Sequence, residues 1–491
     1  MPTSSFHNQE QGRGQWAALL ALMLAYTALF ALYYPPLPGI EDEVGFVNQA
    51  LVWSRGAISL EGAGLSLDLP DFVLVKGRHV AVRNPGRSLL ALPFLVAGGV
   101  RATFASGLLL HLATTGLSAW LLVRLGRSPL WAALVLFHPT LAIYSRTMMG
   151  DEAAGAGLLL AALALTSSSA AAGIWAGLAV GLAAMMRYQA ALALPLVAAA
   201  FRLPPGRPRP WRDASLCLLA GAGAGGLLVA YNQFLYDRPT EAVPNRLALF
   251  SVEYLVEQIP FFTVAFMAIW PAMLLAPVFD RSPLRWLVRG VCMVFLVFFS
   301  LHHFHDSTPN WLETLVIGPR LFQVILPVWI VSYAGVVDDW VAAPARRWLG
   351  NQVWTALAAA CCASLLLGNA MIFKRHQDHL NDLRRARDAV IAAVPDGSLV
   401  VANNVVMKLL GIPSGLPAYR LRLLEYRGDP FDHSQELERE ERPWYLAVRA
   451  KEPGAPLPGS ALDLAMKYQM SQVSTSDQRL ALYVARPPSE R

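Results

Sequence analysis

Apolar runs of about 20 residues recur along this chain, and a run of that length is what an α-helix needs to cross a bilayer. Only 15% of the residues are charged, whereas soluble proteins carry about 25%. The chain is therefore predicted to be a polytopic α-helical membrane protein. The apolar runs begin near residues 16, 103, 129, 152, 213, 259, 285, 321 and 352.

The stretch 171–201 is also apolar, but Arg187, Tyr188 and Gln189 interrupt it. Two short spans that meet at a polar break account for this pattern, and with them the sequence predicts about 11 spans. The formal net charge is +6. No basic stripe with interleaved aromatic residues is present, so the expected partner is the lipid bilayer and not nucleic acid.

Short arginine-rich loops indicate the orientation of the chain. If the N-terminus is cytoplasmic, the loops at 124–127, 201–212, 280–289 and 338–348 are inside, as the positive-inside rule requires. The first large loop and the C-terminal region then lie outside. We expect a multi-pass protein of the cell inner (plasma) membrane with an extracytoplasmic C-terminal domain.

Two parts of the chain outside the spans have patterns of their own. The first outer loop, 35–101, contains an amphipathic stretch at 43–55 and an apolar stretch at 89–100 that is too short to cross a bilayer, so both are predicted as interfacial helices. We assign this loop to a transmembrane module spanning 1–373. Residues 374–491 alternate helical patterns with apolar runs of strand length, which predicts a small α/β domain. The strand-like runs are 398–403, 419–426, 444–450 and 480–485.

Acidic pairs adjoin predicted spans at two places on the predicted outer side, Asp42-Glu43 and Asp151-Glu152. Carboxylates at a membrane boundary are costly to desolvate, so they require a reason to be there. A catalytic site at the membrane surface is one reason. Capping of a following helix is the other, and both can hold together.

Four arginines are predicted on the same outer side: Arg83, Arg87, Arg187 and Arg320. A guanidinium group presents a planar fork of donors that suits phosphate oxygens. The alternative is that these side chains extend to lipid headgroups, as arginines at span ends usually do. Outer arginines oppose the positive-inside tendency, which favours a functional role for Arg187 and Arg320. For Arg83 and Arg87 both interpretations stay open.

Five motifs follow one another along the chain: DEVGFVNQALVWSRG, VRNPGRSLLALPFLVAGG, YSRTMMGDEAAGAGLLLAALAL, GLAVGLAAMMRYQAAL and GPRLFQVILPVWIVSYAG. In this order they resemble the motifs of the membrane glycosyltransferases of the C-type fold, which include protein O-mannosyltransferases and aminoarabinose transferases. The resemblance covers residues 10–340. This chain departs from the pattern at Glu41, a third acid beside the usual two, and at an Asn-Pro-Gly turn where two prolines are frequent.

The resemblance implies transfer of a hexose or pentose from a polyprenyl-phosphate donor to a glycan, lipid or protein acceptor. It implies Asp42 as the catalytic base, with Glu43 beside it and Asp151 as a further catalytic group. It also implies a substrate-binding set of Glu152, Arg83, Arg87, Arg187, Gln189 and Arg320. No cofactor is certain, and a divalent metal at this site stays open.

Two other classes of protein fit an apolar chain of this kind. A secondary transporter predicts inverted repeats and charged residues near the middle of the bilayer, whereas the acids here adjoin span ends. A non-catalytic envelope scaffold leaves the outer acids and arginines without a role. An assay with a lipid-phosphate sugar discriminates among the three.

The predicted orientation can be tested with reporter fusions. Fusions after Arg127, Arg209 and Arg346 should report a cytoplasmic location, and a fusion after Pro458 should report an external one, because arginine-rich loops are retained inside. A cytoplasmic signal from the Pro458 fusion would contradict the orientation.

Overall fold

A computed structural model describes residues 3–61, 72–203, 209–237, 249–303, 305, 308, 310–411, 419–426, 429–450, 455–475 and 477–486. Helices dominate the chain. They are α1 Thr3–Leu32, α2 Glu41–Ser54, α3 Pro85–Arg124, α4 Ala133–Leu136, α5 Pro139–Tyr144, α6 Asp151–Leu165, α7 Ala172–Met186, α8 Ala193–Ala200, α9 Pro210–Tyr236, α10 Leu255–Ile269, α11 Ala276–Phe279, α12 Arg285–Ser300, α13 Trp311–Ile317, α14 Leu326–Val337, α15 Ala343–Ala393, α16 Asn404–Leu410, α17 Ser434–Arg439 and α18 Gly459–Lys467.

Strands occur in the first large loop and after α15. They are β1 Leu60–Glu61, β2 Phe72–Val75, β3 Arg78–Ala81, β4 Leu399–Ala402, β5 Arg420–Leu423, β6 Glu425–Tyr426, β7 Asp429–Pro430, β8 Trp444–Arg449, β9 Ser471–Val473 and β10 Leu480–Ala485. The chain forms two compact units. The first comprises Met1–Tyr34, Asn84–Leu90 and Phe104–Lys374, and the second comprises Pro35–Arg83, Ala91–Thr103 and Arg375–Arg491.

The chain is a polytopic membrane protein, as its apolar runs predict. Among the described residues, six helices are long and apolar enough to cross a bilayer: Arg13–Leu32, Pro85–Arg124, Pro210–Tyr236, Val252–Ile269, Leu326–Gly350 and Gln352–Ala393. Two shorter apolar helices occur at Ala172–Met186 and Tyr188–Ala200. The count of about 11 spans stays a prediction.

The predicted polar break in the stretch 171–201 is present. Helix α7 ends at Met186, Arg187 has extended backbone angles (φ −146°, ψ 113°), and a 3₁₀ turn at Tyr188–Leu192 precedes α8. The extended backbone at Arg187 stops the helical hydrogen-bond ladder, so the two helices are separate elements. The polar residues therefore lie at a helix end.

The region 85–124 differs from the expected separate interfacial helix followed by a span. It is one helical element, α3, with a break at Gly98 and Gly99, where Gly99 has φ 71°. Glycine occupies that left-handed region without a steric penalty, so the break falls there. The expected helix at 43–55 is present as α2.

Helix α7 packs closely on α9 through a row of glycines four residues apart. A Cβ atom on Gly173 would overlap the Asp213 carbonyl oxygen, and one on Gly177 would overlap the Cys217 carbonyl oxygen. Small residues at this spacing allow helix backbones to approach closely inside a membrane. The first unit therefore has a tightly packed core around α7, the helix that leads to Arg187.

The second unit contains a five-stranded sheet in the order β5-β4-β8-β10-β9. Strand β4 is parallel to β5 and β8, whereas β10 is antiparallel to β8 and β9. Both faces are covered by apolar residues: Val400 and Ala447 belong to one cluster, and Val401 and Leu446 to another. The predicted α/β organisation is present, and the four predicted strands correspond to β4, β5, β8 and β10.

The close packing of α7 on α9 gives a direct test. Gly177→Ala should destabilise the purified protein by about 1–3 kcal/mol, the usual effect of overpacking, because the new methyl group meets backbone and cannot be accommodated by a side-chain movement. Gly223→Ala on α9 is the matched control, since no heavy atom lies within 4 Å of its Cβ position. Thermal unfolding in detergent measures both, and equal stability of the two variants would contradict the packing.

Candidate functional site

Three chain segments that carry predicted site residues meet in the first unit. A Cβ on Gly150 would lie 2.9 Å from the Met186 carbonyl oxygen, and a Cβ on Gly86 would lie 2.9 Å from the Met185 carbonyl oxygen. The starts of α3 and α6 thus contact the end of α7 at glycines, where no side chain separates the backbones. Arg87, Asp151 and Arg187 each lie within two residues of these contacts.

Asp151 and Arg187 form an ion pair at this junction. The distance between Arg187 Nη2 and Asp151 Oδ2 is 2.6 Å, and the side chains are 12% and 1% exposed, respectively. A carboxylate this deeply buried requires a cationic or hydrogen-bonding partner. Asp151 is the first residue of α6, so its charge is also stabilised by the positive end of the helix dipole.

Arg87 is fully buried close to this pair. Its Nη1 donates to Ser106 Oγ at 2.8 Å and its Nη2 donates to the Thr147 carbonyl oxygen at 3.3 Å. These bonds connect the start of α3 to its own second half and to the segment just before α6. Arg87 therefore holds the backbone of the junction in place.

Glu152 points in a different direction from Asp151. Its Oε1 lies 2.6 Å from His111 Nδ1, in the interior of the first unit. Glu152 is one of the predicted substrate-binding residues, whereas His111 was not identified from the sequence at all. A single histidine in a long apolar helix, directly after LLL, was the available signal.

Arg320 and Gln189 lie on 3₁₀ segments in the same unit. Arg320 is nearly buried on the segment Gly318–Val324, and its guanidinium carbon lies 6.0 Å from the centre of the Tyr144 ring. This segment packs on α6 so closely that a Cβ on Gly155 would overlap the Gln323 carbonyl oxygen. The Oε1 atom of Gln189 is buried with no hydrogen-bond partner among the described residues.

The second unit contains the other predicted acid–arginine pair, Asp42 and Arg83. Arg83 Nη2 lies 2.7 Å from Asp42 Oδ1, and the side chains are 16% and 20% exposed. The Arg83 carbonyl oxygen accepts from Gln49 Nε2 at 2.9 Å, and its guanidinium lies 5.9 Å from the centre of the Phe46 ring. Three contacts with α2 thus fix Arg83, and Asp42 stays partly accessible.

Glu43 caps the start of α2. Its Oε2 accepts from the backbone N–H of Gly39 at 2.8 Å and from that of Ile40 at 2.9 Å. A carboxylate at the third helical position that binds back to the preceding amides is one half of a capping box. The neighbouring Glu41 lies 3.2 Å from Lys408 Nζ and accepts from Asn404 Nδ2 at 2.9 Å. The three consecutive acids thus have different partners, and Asp42 is the one that pairs with Arg83.

Arg146 is another buried arginine, although it belongs to a quoted motif and was not predicted as a site residue. It donates to the carbonyl oxygens of Phe373 and Tyr33, and it lies over the Phe373 ring. Its donors thus bind one backbone carbonyl within α15 and one directly after the end of α1. Among the described residues, no three His, Cys, Asp or Glu side chains converge in a way that could hold a metal ion.

Comparison with known proteins identifies the fold. Neither a protein-family model nor a curated protein sequence matches the chain. The crystal structure of ArnT from Cupriavidus metallidurans bound to undecaprenyl phosphate matches with a TM-score of 0.61 at 13% identity, covering 95% of this chain and 98% of that one. The chain has the ArnT fold. The apo crystal structure of the same protein gives a TM-score of 0.59 with the same coverage. The C-type fold predicted from the five motifs is thereby confirmed.

The cap at Glu43 can be tested separately from Asp42. Glu43→Ala should speed hydrogen exchange at the Gly39 and Ile40 amides, because both donors lose their acceptor and such bonds to charged groups contribute about 1.5–3 kcal/mol. Asp42→Ala is the control, and it should leave these two amides protected. Mass-spectrometric hydrogen exchange distinguishes the two variants. Equal protection of the Gly39 and Ile40 amides in the two variants would show that Glu43 does not cap α2.

Proposed function

We propose that this protein is a membrane glycosyltransferase that takes a sugar from a polyprenyl-phosphate donor. The observation that supports the proposal most strongly is the shared fold over nearly the whole of both chains with a structure bound to undecaprenyl phosphate. In this proposal the reaction occurs on the extracytoplasmic face of the cell inner membrane, with the N-terminus inside. The acceptor is a glycan, a lipid or a protein.

Arginines provide the charge that the leaving phosphate needs. When the bond between the sugar C1 and the phosphate oxygen breaks, its electron pair stays on the polyprenyl phosphate, and fixed cations stabilise that charge. Arg187 and Arg83 are each held by a carboxylate at one terminal nitrogen, which fixes the direction of a group that has five N–H donors. We assign Arg187 and Arg320, which both belong to the first unit, to the phosphate, and Arg83 to holding Asp42.

Asp42 is the base in this proposal. It takes the proton from the acceptor hydroxyl or amine as the acceptor forms its bond to the sugar C1. Its side chain is 20% exposed, so an acceptor can reach it, and Arg83 holds it in place. Glu43 then positions Asp42 by capping α2, and Asp151 orients Arg187.

The transporter and scaffold alternatives predict no chemical change in a lipid-linked sugar. Purified protein incubated with a labelled polyprenyl-phosphate sugar and a membrane extract as the acceptor source distinguishes them from a transferase. Release of polyprenyl phosphate with label in a new product supports the transferase. Recovery of the intact donor with every acceptor fraction would contradict it.

Replacement of the base gives the sharpest test of the mechanism. Asp42→Asn should lower the transfer rate by about 10²- to 10⁴-fold, the usual contribution of a general base, since asparagine keeps the shape and the contact with Arg83 but cannot take the proton. Glu257→Gln is the matched control, because this exposed acid lies in the first turn of α10. Near-normal transfer by Asp42→Asn would exclude Asp42 as the base.

A further inference from the structure

Two neighbouring carboxylates begin α6, and they have different partners. Consecutive helical residues are rotated by about 100° about the helix axis, so they face different directions. Asp151 binds Arg187, and Glu152 binds His111 at the same distance of 2.6 Å. The two pairs therefore fix the start of α6 on two sides.

The hydrogen bonds of His111 determine how many protons this second pair holds. His111 Nε2 lies 3.0 Å from the Leu136 carbonyl oxygen, which can only accept, so Nε2 carries a hydrogen. His111 Nδ1 faces Glu152 Oε1. One proton therefore lies between these two atoms, and the pair is neutral whichever atom holds it. A neutral, hydrogen-bonded pair is compatible with complete burial.

The pair is enclosed by other buried groups. The Tyr26 ring lies 4.9 Å from the His111 ring, and Tyr26 Oη lies 2.8 Å from Ser145 Oγ, which donates to the Ala142 carbonyl oxygen. His111 and Tyr26 are both fully buried. Glu152 Oε1 could turn to a substrate only by leaving His111 Nδ1 unsatisfied in the protein interior, which is unfavourable for a buried polar group.

The position of α6 along its axis is fixed separately. Gly150 contacts the Met186 carbonyl oxygen at the start of the first turn, and Gly155 contacts the Gln323 backbone on the next turn. These contacts restrict translation of the helix. The polar pair at residue 152 adds a further restriction, which opposes rotation of the helix about its axis.

We propose that the Glu152–His111 pair is a buried positioning element that holds α6 in the rotation that aims Asp151 at Arg187. Glu152 is then a positioning residue and not a substrate ligand. This inference rests on the proposed function for its kinetic consequence, and its structural part stands independently.

Hydrogen exchange tests the structural part without any activity. Amides 152–156 should exchange faster in Glu152→Ala than in wild type. In Glu152→Gln these amides should exchange as slowly as in wild type, because the glutamine amide N–H can donate to His111 Nδ1. The paired change Glu152→Leu with His111→Leu buries no unsatisfied side-chain polar group and should also loosen these amides, so the test survives if Glu152→Ala does not fold. If these amides were as protected in Glu152→Ala and in the paired variant as they are in wild type, the Glu152–His111 pair would not be a positioning element.

Kinetics test the positioning role. Glu152→Ala should lower kcat about tenfold or more with the KM for the lipid donor within about twofold, since misplacement by about 1 Å costs up to about 10²-fold. Glu152→Gln should restore most of kcat. Asp151→Asn combined with Glu152→Ala should be no slower than Asp151→Asn alone, because Glu152 acts through Asp151. Asp280→Asn, which removes another buried carboxylate of the first unit, is the control.

The outcomes separate this inference from the proposed function. A raised donor KM in both Glu152→Gln and Glu152→Ala would show that Glu152 is a substrate ligand. If the losses of kcat in Asp151→Asn and Glu152→Ala added up in the double variant, Glu152 would not act through Asp151. If the wild-type protein transfers no sugar from any lipid donor, the proposed function fails. Hydrogen exchange still decides whether the Glu152–His111 pair is a positioning element.

Discussion

Neutralisation of buried carboxylates is the constraint on which the first unit depends. Asp151 is 1% exposed, and an isolated charge at such a depth would be too costly to keep. Its partner, Arg187, can reach it because α7 ends at Met186 and the next residue has extended backbone angles. The polar break in an apolar stretch is thus the structural condition for the ion pair.

Close backbone contact is the second condition, and glycine provides it. Gly86 and Gly150 allow the starts of α3 and α6 to touch the end of α7, and Gly177 allows α7 to touch α9. A larger residue at any of these positions would separate the segments that carry the charged groups. The glycines are therefore needed for the site as well as for packing.

Local sequence patterns were sufficient to predict several features of the fold. The membrane class, the break at Arg187 and the four strands after α15 each depend on the polarity of nearby residues, and the structure contains all of them. The hairpin β2–β3 was missed, although FVLV and RHVAV flank a Lys-Gly turn with positive φ at both residues. That turn lies inside the first outer loop, where the sequence analysis predicts only interfacial helices.

Partners that are distant in the sequence could not be predicted in this way. The contact between His111 and Glu152 joins residues 41 positions apart, and no local pattern in a single sequence encodes it. For the pair Asp42-Glu43 the sequence predicts helix capping as one of two interpretations, without indicating that Glu43 is the residue that caps. Deciding between them required the positions of the Gly39 and Ile40 amides, which only the folded chain provides.

Recognition of the phosphate group of a polyprenyl lipid is the property on which the proposed mechanism depends most. Native mass spectrometry of the purified protein with equal amounts of undecaprenyl phosphate and undecaprenol compares two ligands that share their tail and differ only in the phosphate. We expect the phosphate form to stay bound and the alcohol to be lost, because arginines recognise the anion. Equal retention of the two lipids, or retention of neither, would contradict phosphate recognition by these arginines.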